Sequence, residues 1–153
     1  MIVRQAHMAD IDCMLAIENR SFRQHRFRRE DFKYHLHNPY SILRVAEAHG
    51  EVVGYVAGII YHGSKRRIAK LYSMAVRPDW RRKHVGLLLL KAFEKESARQ
   101  NSQLVTLEVR RSNRPARALY LDYGYKVDSV LRKYYSSRSD ALLMTKRLQN
   151  VRK

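Results

Sequence analysis

Residues 106–125 read TLEVRRSNRPARALYLDYGY. With Leu104 and Val105 ahead of it, the left half is rich in β-branched and apolar residues, the composition of a strand, and Glu108 lies near its end. Ser112, Asn113, Arg114 and Pro115 then supply an N-cap followed closely by a proline. Ala116, Leu119, Tyr120 and Tyr123 recur at helical spacing, and Gly124 stands where a helix C-terminus favours a left-handed residue. A strand therefore runs through a cap into a helix. The unit carries a carboxylate, Glu108, and a phenol, Tyr120: a candidate base and a candidate acid. Each also has a plainer reading, since an acidic residue in a strand is commonly a half-exposed face position and a helical tyrosine is commonly core.

The pattern extends outward from this unit. Residues 2–4 read as a short strand, and residues 10–22 as an amphipathic helix with Ile11, Met14, Leu15 and Ile17 on its buried side. A second helix spans residues 29–37, and Pro39 follows it. Residues 41–48 and 51–61 are two strands joined at His49-Gly50, a hairpin signal. Residues 68–76 form another strand, stopped by Pro78. The longest helix covers residues 85–100, with Val85, Leu88, Leu89, Ala92 and Phe93 facing inward. Residues 126–131 and 141–148 close the chain as a strand pair. The order β-α-α-β-β-β-α-β-α-β-β predicts a mixed α/β sandwich around one sheet, with residues 1–153 as one domain.

Charge narrows the partners. Lys and Arg number 31 against 14 Asp and Glu, a net charge of +17, which points to an anionic partner: a nucleotide cofactor, an acidic peptide or RNA. The alternative is a solvated cationic surface with no dedicated partner. The same balance argues against cationic small substrates such as polyamines or aminoglycosides. No apolar run is long enough to span a bilayer and the N-terminus lacks the order of a signal peptide, so a cytoplasmic protein with no membrane partner is expected. The single cysteine, Cys13, forms no internal disulfide and reads, from its neighbours Ile11, Met14 and Ile17, as packed in the first helix.

A second chemical feature joins the strand ending at Val76 to the longest helix through Arg77, Pro78, Asp79, Trp80, Arg81, Arg82, Lys83 and His84. Free N–H groups at a helix N-terminus, the helix dipole and the basic side chains together make an anion site. A merely basic loop is the alternative. The Walker-type phosphate loop is absent, since neither GKS nor GKT occurs.

These residues resemble the GNAT superfamily of acetyltransferases, and most closely its RimI-like members, which acetylate protein N-termini. The family loop Arg/Gln-x-x-Gly-x-Gly/Ala is matched by Arg81, Arg82, Lys83, His84, Val85 and Gly86, with His84 where the first glycine is usual. The family phrase Leu-Glu-Val-Arg, Ser-Asn, Ala-Leu-Tyr and Gly-Phe is matched by residues 107–110, Ser112-Asn113, residues 118–120 and Gly124-Tyr125. Lys133-Tyr134-Tyr135-Ser136 and residues 140–144 resemble the closing hairpin.

The resemblance implies a GNAT-type fold: a mixed, mostly antiparallel sheet of six to seven strands flanked by about four helices, splayed between the fourth and fifth strands. It implies acetyl-coenzyme A in that splay. Met74, Ala75 and Val76 would meet the pantetheine arm, residues 81–86 would hold the pyrophosphate, and Asn113 would help from the other side. Glu108 resembles the base of the subfamily and Tyr120 its acid, protonating the coenzyme A sulfur. An α-amine has a pKa of ~7.7–8.0 in model peptides, an easy proton for a carboxylate to take. Phe22 and Phe27 would wall the pocket for the first acceptor side chain, and Tyr134 and Tyr135 would hold the acceptor backbone; equally, half of these aromatics would belong to the core. Near Phe27 the chain lacks the Pro-Trp segment usual in RimI-like sequences.

The expected acceptor is a protein N-terminus, ribosomal or acidic, the latter because Arg20, Arg23, Arg26 and Arg28 attract acidic residues. RNA contact and a monomer or weak dimer are further expectations. Two alternatives stay open: the same fold acting on a lysine side chain or an aminoacyl-tRNA, and a non-catalytic RNA- or ribosome-binding module. The presence of both Glu108 and Tyr120 speaks against the module.

Overall fold

The computed structural model describes residues 1–23, 25–136 and 139–149, without the side chains of 133–136 and 139. Its strands are β1 (Ile2–Gln5), β2 (Ser41–Ala48), β3 (Glu51–His62), β4 (Arg67–Val76), β5 (Leu104–Arg110), β6 (Lys126–Ser136) and β7 (Ser139–Arg147). The helices are α1 (Ile11–Ser21), α2 (Arg29–His37), α3 (Val85–Arg99) and α4 (Arg114–Asp122). The strands form one sheet in the order β1-β2-β3-β4-β5-β7-β6, and only the β4–β5 pairing is parallel. Among the described residues no helix is long and apolar enough to cross a membrane.

The centre of the sheet is β3, buried on both sides from Val52 to Gly58, which explains its nearly unbroken apolar run. Alternate residues serve two cores. Val53 and Val56 pack with Val85, Leu89, Leu90 and Phe93 of α3 on one face. On the other face, Val52, Tyr55 and Ala57 pack with Ile11, Met14 and Ile17 of α1 and Phe32 of α2. The β2–β3 hairpin turns at His49 and Gly50, both at positive φ (52° and 77°), the form whose twist suits a two-residue connection.

Three details depart from the sequence reading. Cys13 is exposed, on the solvent side of α1, while Ile11, Met14 and Ile17 take the core positions around it. On α3 the buried stripe runs Val85, Leu89, Leu90, Phe93, Glu94 and Ser97, so Leu88 faces out, 40 % exposed, and two polar residues lie inside. β6 continues to Ser136 rather than ending at Leu131. It is an edge strand paired with β7 alone, and an edge that buries little carries a weak apolar pattern by which to mark its end.

Two irregularities shape the middle of the sheet. The β3–β4 register shifts between Ala57 and Gly58, so that Tyr72 has no partner and β4 bulges. The β4–β5 pairing covers only Ile68–Leu71 against Leu104–Leu107, and beyond it the two strands separate. Gly58 is what the bulge requires, since a Cβ there would collide with the Lys70 carbonyl and the Phe93 ring. Gly58→Ala is therefore expected to destabilise the protein by about 2 kcal/mol, read as a fall of roughly 4–8 °C in the thermal unfolding midpoint. An unchanged midpoint would show that the bulge has slack.

Candidate active site

Where β4 and β5 part there is a cavity of about 630 Å³, lined among others by Glu18, Phe22, Phe27, Met74, Glu108 and Tyr120, within the size range of small-molecule sites. On β5, Val105, Leu107 and Val109 belong to the α3-side core, so the pleat turns Glu108 to the face covered by α1 and α2. Tyr120 comes from α4 and is packed in the α3-side core. The gap lets groups from opposite faces line one space.

Local structure fixes each of these groups. Asn113 caps α4, its Oδ1 accepting from the Ala116 N–H at 3.3 Å, and it also lines the cavity. The far end of α4 turns at Gly124, φ 97°, where the Tyr125 N–H returns to the Tyr120 carbonyl at 2.9 Å. The Tyr125 hydroxyl donates to Glu94 at 2.7 Å and Lys146 Nζ donates to the same carboxylate at 2.9 Å. Burial, then the neighbouring Glu94 charge, pushes the Tyr125 phenol far above its ordinary value, so it remains a donor. Tyr120 packs edge-on against Tyr125, ring centres 5.6 Å apart, and is held by this anchored turn.

Glu108 lies 3.5 Å from Lys70 Nζ, and the same ammonium stands over the Tyr72 ring at 5.0 Å. Both charges keep some water contact (side chains 19 % and 26 % exposed), so this is a moderate, screened attraction.

The sequence reading did not single out Glu18. This α1 residue is 2 % exposed and sits in the same cavity. Its Oε1 accepts from the Tyr55 hydroxyl and from Ser73 Oγ at 3.2 Å, and its Oε2 accepts the Phe27 N–H at 2.8 Å. Tyr55 and Ser73 are themselves 2.8 Å apart. Burial raises its pKa to about 7, against the lowering effects of the Phe27 N–H, Ser73 and Arg26. The clue was available: Glu18 follows Ile11, Met14 and Ile17 on the apolar side of α1, where an acid needs partners. Those partners come from elements far away in sequence.

The basic loop lies beside the cavity rather than in its lining. Arg81 Nε donates to the Val76 carbonyl at 3.0 Å and its guanidinium reaches Ser21 Oγ at 3.2 Å, tying the loop to β4 and α1. Residues 81–84 are exposed, and no acidic residue stands in the first turn of α3. Arg82 and His84 are both at positive φ, 61° and 65°. His84, the N-cap of α3, thus takes the conformation that glycine would take there, at a cost. Gly86 packs against Leu119 and Met74, a Cβ there lying 3.3 Å and 3.9 Å from their side chains, and so brings α3, α4 and β4 together. An unacidic, exposed helix start beside unpaired strand ends fits a phosphate-bearing ligand.

Of the residues expected to act, Met74, Glu108, Asn113, Tyr120, Phe22 and Phe27 line the one cavity. Ala75, Val76 and residues 81–86 adjoin it. Tyr134 and Tyr135 fall within β6, and their side chains lie outside the described residues.

The profile of the Acetyltransferase (GNAT) family matches residues 9–125. The chain is 36 % identical over 151 residues to an N-alpha-acetyltransferase of Sulfurisphaera tokodaii, covering 93 % of this chain and 90 % of that one. It superposes on Ard1 of Thermoplasma volcanium with a TM-score of 0.86 and 30 % identity, over 97 % of each chain. It shares its fold with the ribosomal-protein-S18-alanine N-acetyltransferase of Escherichia coli, with a TM-score of 0.81, 24 % identity, and 97 % and 94 % of the two chains covered.

Because the Glu18 pKa is raised from 4.5 to about 7, the folded state holds a proton that the unfolded chain releases. Stability therefore falls as pH rises from about 4.5 to about 7 and is level above. Glu18→Gln should flatten that slope in thermal melts and be the more stable protein above pH 7; a wild-type curve without the slope would refute the assignment. His84→Gly, which removes the left-handed strain, should raise the unfolding midpoint by roughly 2–4 °C, about 1 kcal/mol.

Proposed function

The chain belongs to the GNAT acetyltransferase family, and on that footing we propose that it moves an acetyl group from acetyl-coenzyme A to the N-terminal α-amine of a protein. The observation carrying the reading is the cavity at the β4–β5 parting, which collects two carboxylates and a phenol beside an anion-binding helix start. We read residues 1–153 as one such domain, working in the cytoplasm as a monomer or weak dimer.

Acetyl-coenzyme A supplies the activated acetyl thioester. The backbone at Met74, Ala75 and Val76, beyond the last β4–β5 pair, aligns the pantetheine arm, and a backbone N–H there stabilises the oxyanion, an effect of ~2.7–4 kcal/mol per donor in acyl-transfer sites. Residues 81–86 hold the pyrophosphate, and Asn113 contacts the donor from the α4 side. Glu108 takes the proton of the acceptor ammonium, directly or through water, and Tyr120 returns one to the departing sulfur. A second reading assigns the base to Glu18, favoured by its place in the lining of the same cavity; burial there pushes its pKa up to about 7, toward that of an α-amine. Phe22 and Phe27 wall the acceptor side chain.

The acceptor carries acidic residues after its first position. Arg23 and Arg110 line the cavity, Arg26 acts electrostatically on Glu18, and Lys70 faces Glu108. A ribosomal protein in its RNA setting suits the net charge of +17.

Thiol release from acetyl-coenzyme A tests the whole reading. Peptides with a free N-terminus should turn over, those with an acidic second or third residue about fivefold better at low salt, the gain fading as salt rises. Glu108→Gln and Tyr120→Phe should each cost about a hundredfold or more, and Glu18→Gln discriminates the two bases by which variant removes the acid limb of the pH profile. Turnover only on a blocked lysine peptide or an aminoacyl-tRNA would move the acceptor elsewhere. RNA binding with neither turnover nor cofactor binding would make the chain a binding module.

A further inference from the structure

His35 of α2 is 6 % exposed and lies beside the cavity rather than in it. Its Nδ1 is 3.0 Å from Ser41 Oγ at the start of β2, and the ring makes a further hydrogen bond to the backbone of Gly58, at the bulge in β3 and β4. Phe27 stacks on the ring, centres 5.4 Å apart and planes 15° apart. Tyr72, the unpaired residue of the bulge, meets it edge-on at 6.1 Å, and Tyr34 does so at 5.8 Å. Phe27 and Tyr72 both line the cavity, and the Phe27 N–H is one of the donors on Glu18. One imidazole thus touches two walls of the acceptor side and, through Phe27, a carboxylate two steps away.

We propose that His35 is a positioning residue for the acceptor side of the site: its flat ring, fixed by Ser41 and Gly58, holds Phe27 against the cavity and keeps the Phe27 N–H on Glu18. The inference rests on the acetyltransferase reading and on Glu18 shaping the acceptor side. The ring works in its neutral form, because burial lowers its proton affinity more than Asp31 on its own helix and the Gly58 bond raise it. The other titratable groups facing it are the phenols of Tyr34 on α2 and Tyr72 on β4, and Lys70 stands over the Tyr72 ring. A leucine in its place fills space but offers no flat face and no polar edge. Phe27 then moves, Glu18 loses a donor that favours its charged form, and its proton affinity rises.

The test compares wild type, His35→Leu and His35→Phe in the intact chain, each checked for folding by circular dichroism. Two readouts are used: titration of the Glu18 carboxyl by NMR in protein labelled with carbon-13 at the glutamate carboxyls, and KM for a free N-terminal peptide beside KM for acetyl-coenzyme A. In His35→Leu the carboxyl midpoint should move above about 7, and the peptide KM should rise about fivefold while the acetyl-coenzyme A KM stays within about twofold. His35→Phe, which keeps the stack but not the polar edge, should bring both values part of the way back. Should His35→Leu fold poorly, Ser41→Ala unhooks the ring without a large loss of volume and should move both readouts the same way by less. An unmoved midpoint, equal changes in both KM values, or a phenylalanine variant no better than leucine would overturn the proposal. If Glu18→Gln leaves the pH profile unaltered, Glu18 has no part in the chemistry, and the midpoint and the peptide KM still decide for or against His35.

Discussion

Two parallel strands that pair for only four residues and then part leave backbone N–H and C=O groups facing a gap, and such groups need partners. In this protein β4 and β5 stop pairing at Leu71 and Leu107, and the functional arrangement depends on that parting. It opens a passage between the two faces of the sheet, so that Glu108 and Glu18 on the α1–α2 face can share a space with Tyr120 from the other. A fully paired sheet would wall these groups off. The parting is maintained from β3, where Gly58 permits the bulge at Tyr72, and from α3 and α4, which approach one another across Gly86.

The same space treats its two carboxylates differently. Glu18 is shut in, and desolvation dominates, leaving its proton affinity close to that of an amine. Glu108 keeps part of its water and faces an ammonium, so its charge is balanced across a short distance. Carboxyl groups with opposed surroundings in one cavity are a familiar way for a protein to divide proton handling. Phe27 and Tyr72 line the cavity with His35 packed behind them, and the cluster ties α2 to the bulge. This side of the cavity is therefore braced by the same irregularity that opens it.

His84 shows how a motif tolerates a changed residue. The backbone at this position is left-handed, the form for which glycine is the least costly choice. Histidine adopts it because the loop is held at both ends: by Arg81 on the Val76 carbonyl and on Ser21, and by the first turn of α3, where the Leu88 N–H returns to the His84 carbonyl at 3.1 Å. The surrounding geometry outweighs the local preference, and residues 81–84 stay exposed at the start of α3.

The sequence by itself determined the element order, because that information is local. The β-branched and apolar composition of β5, the Asn113 cap, the His49-Gly50 turn and the left-handed Gly124 each depend on a few neighbouring residues, and the structure has them all. It also marked Glu108, Tyr120 and Met74, which lie together at the cavity. Periodicity also turned Ile11, Met14 and Ile17 of α1 and Val85, Leu89 and Phe93 of α3 inward; tertiary structure alone fixed the edges of those faces, and so it overturned the readings of Cys13 and Leu88, whose neighbours are as apolar as those of a core residue. It alone decided the role of Glu18, whose partners Phe27, Tyr55 and Ser73 lie 9, 37 and 55 residues along the chain. The proton affinity of a side chain is set by what surrounds it in space, and for a buried acid those surroundings are assembled only when the sheet and its two helical layers close.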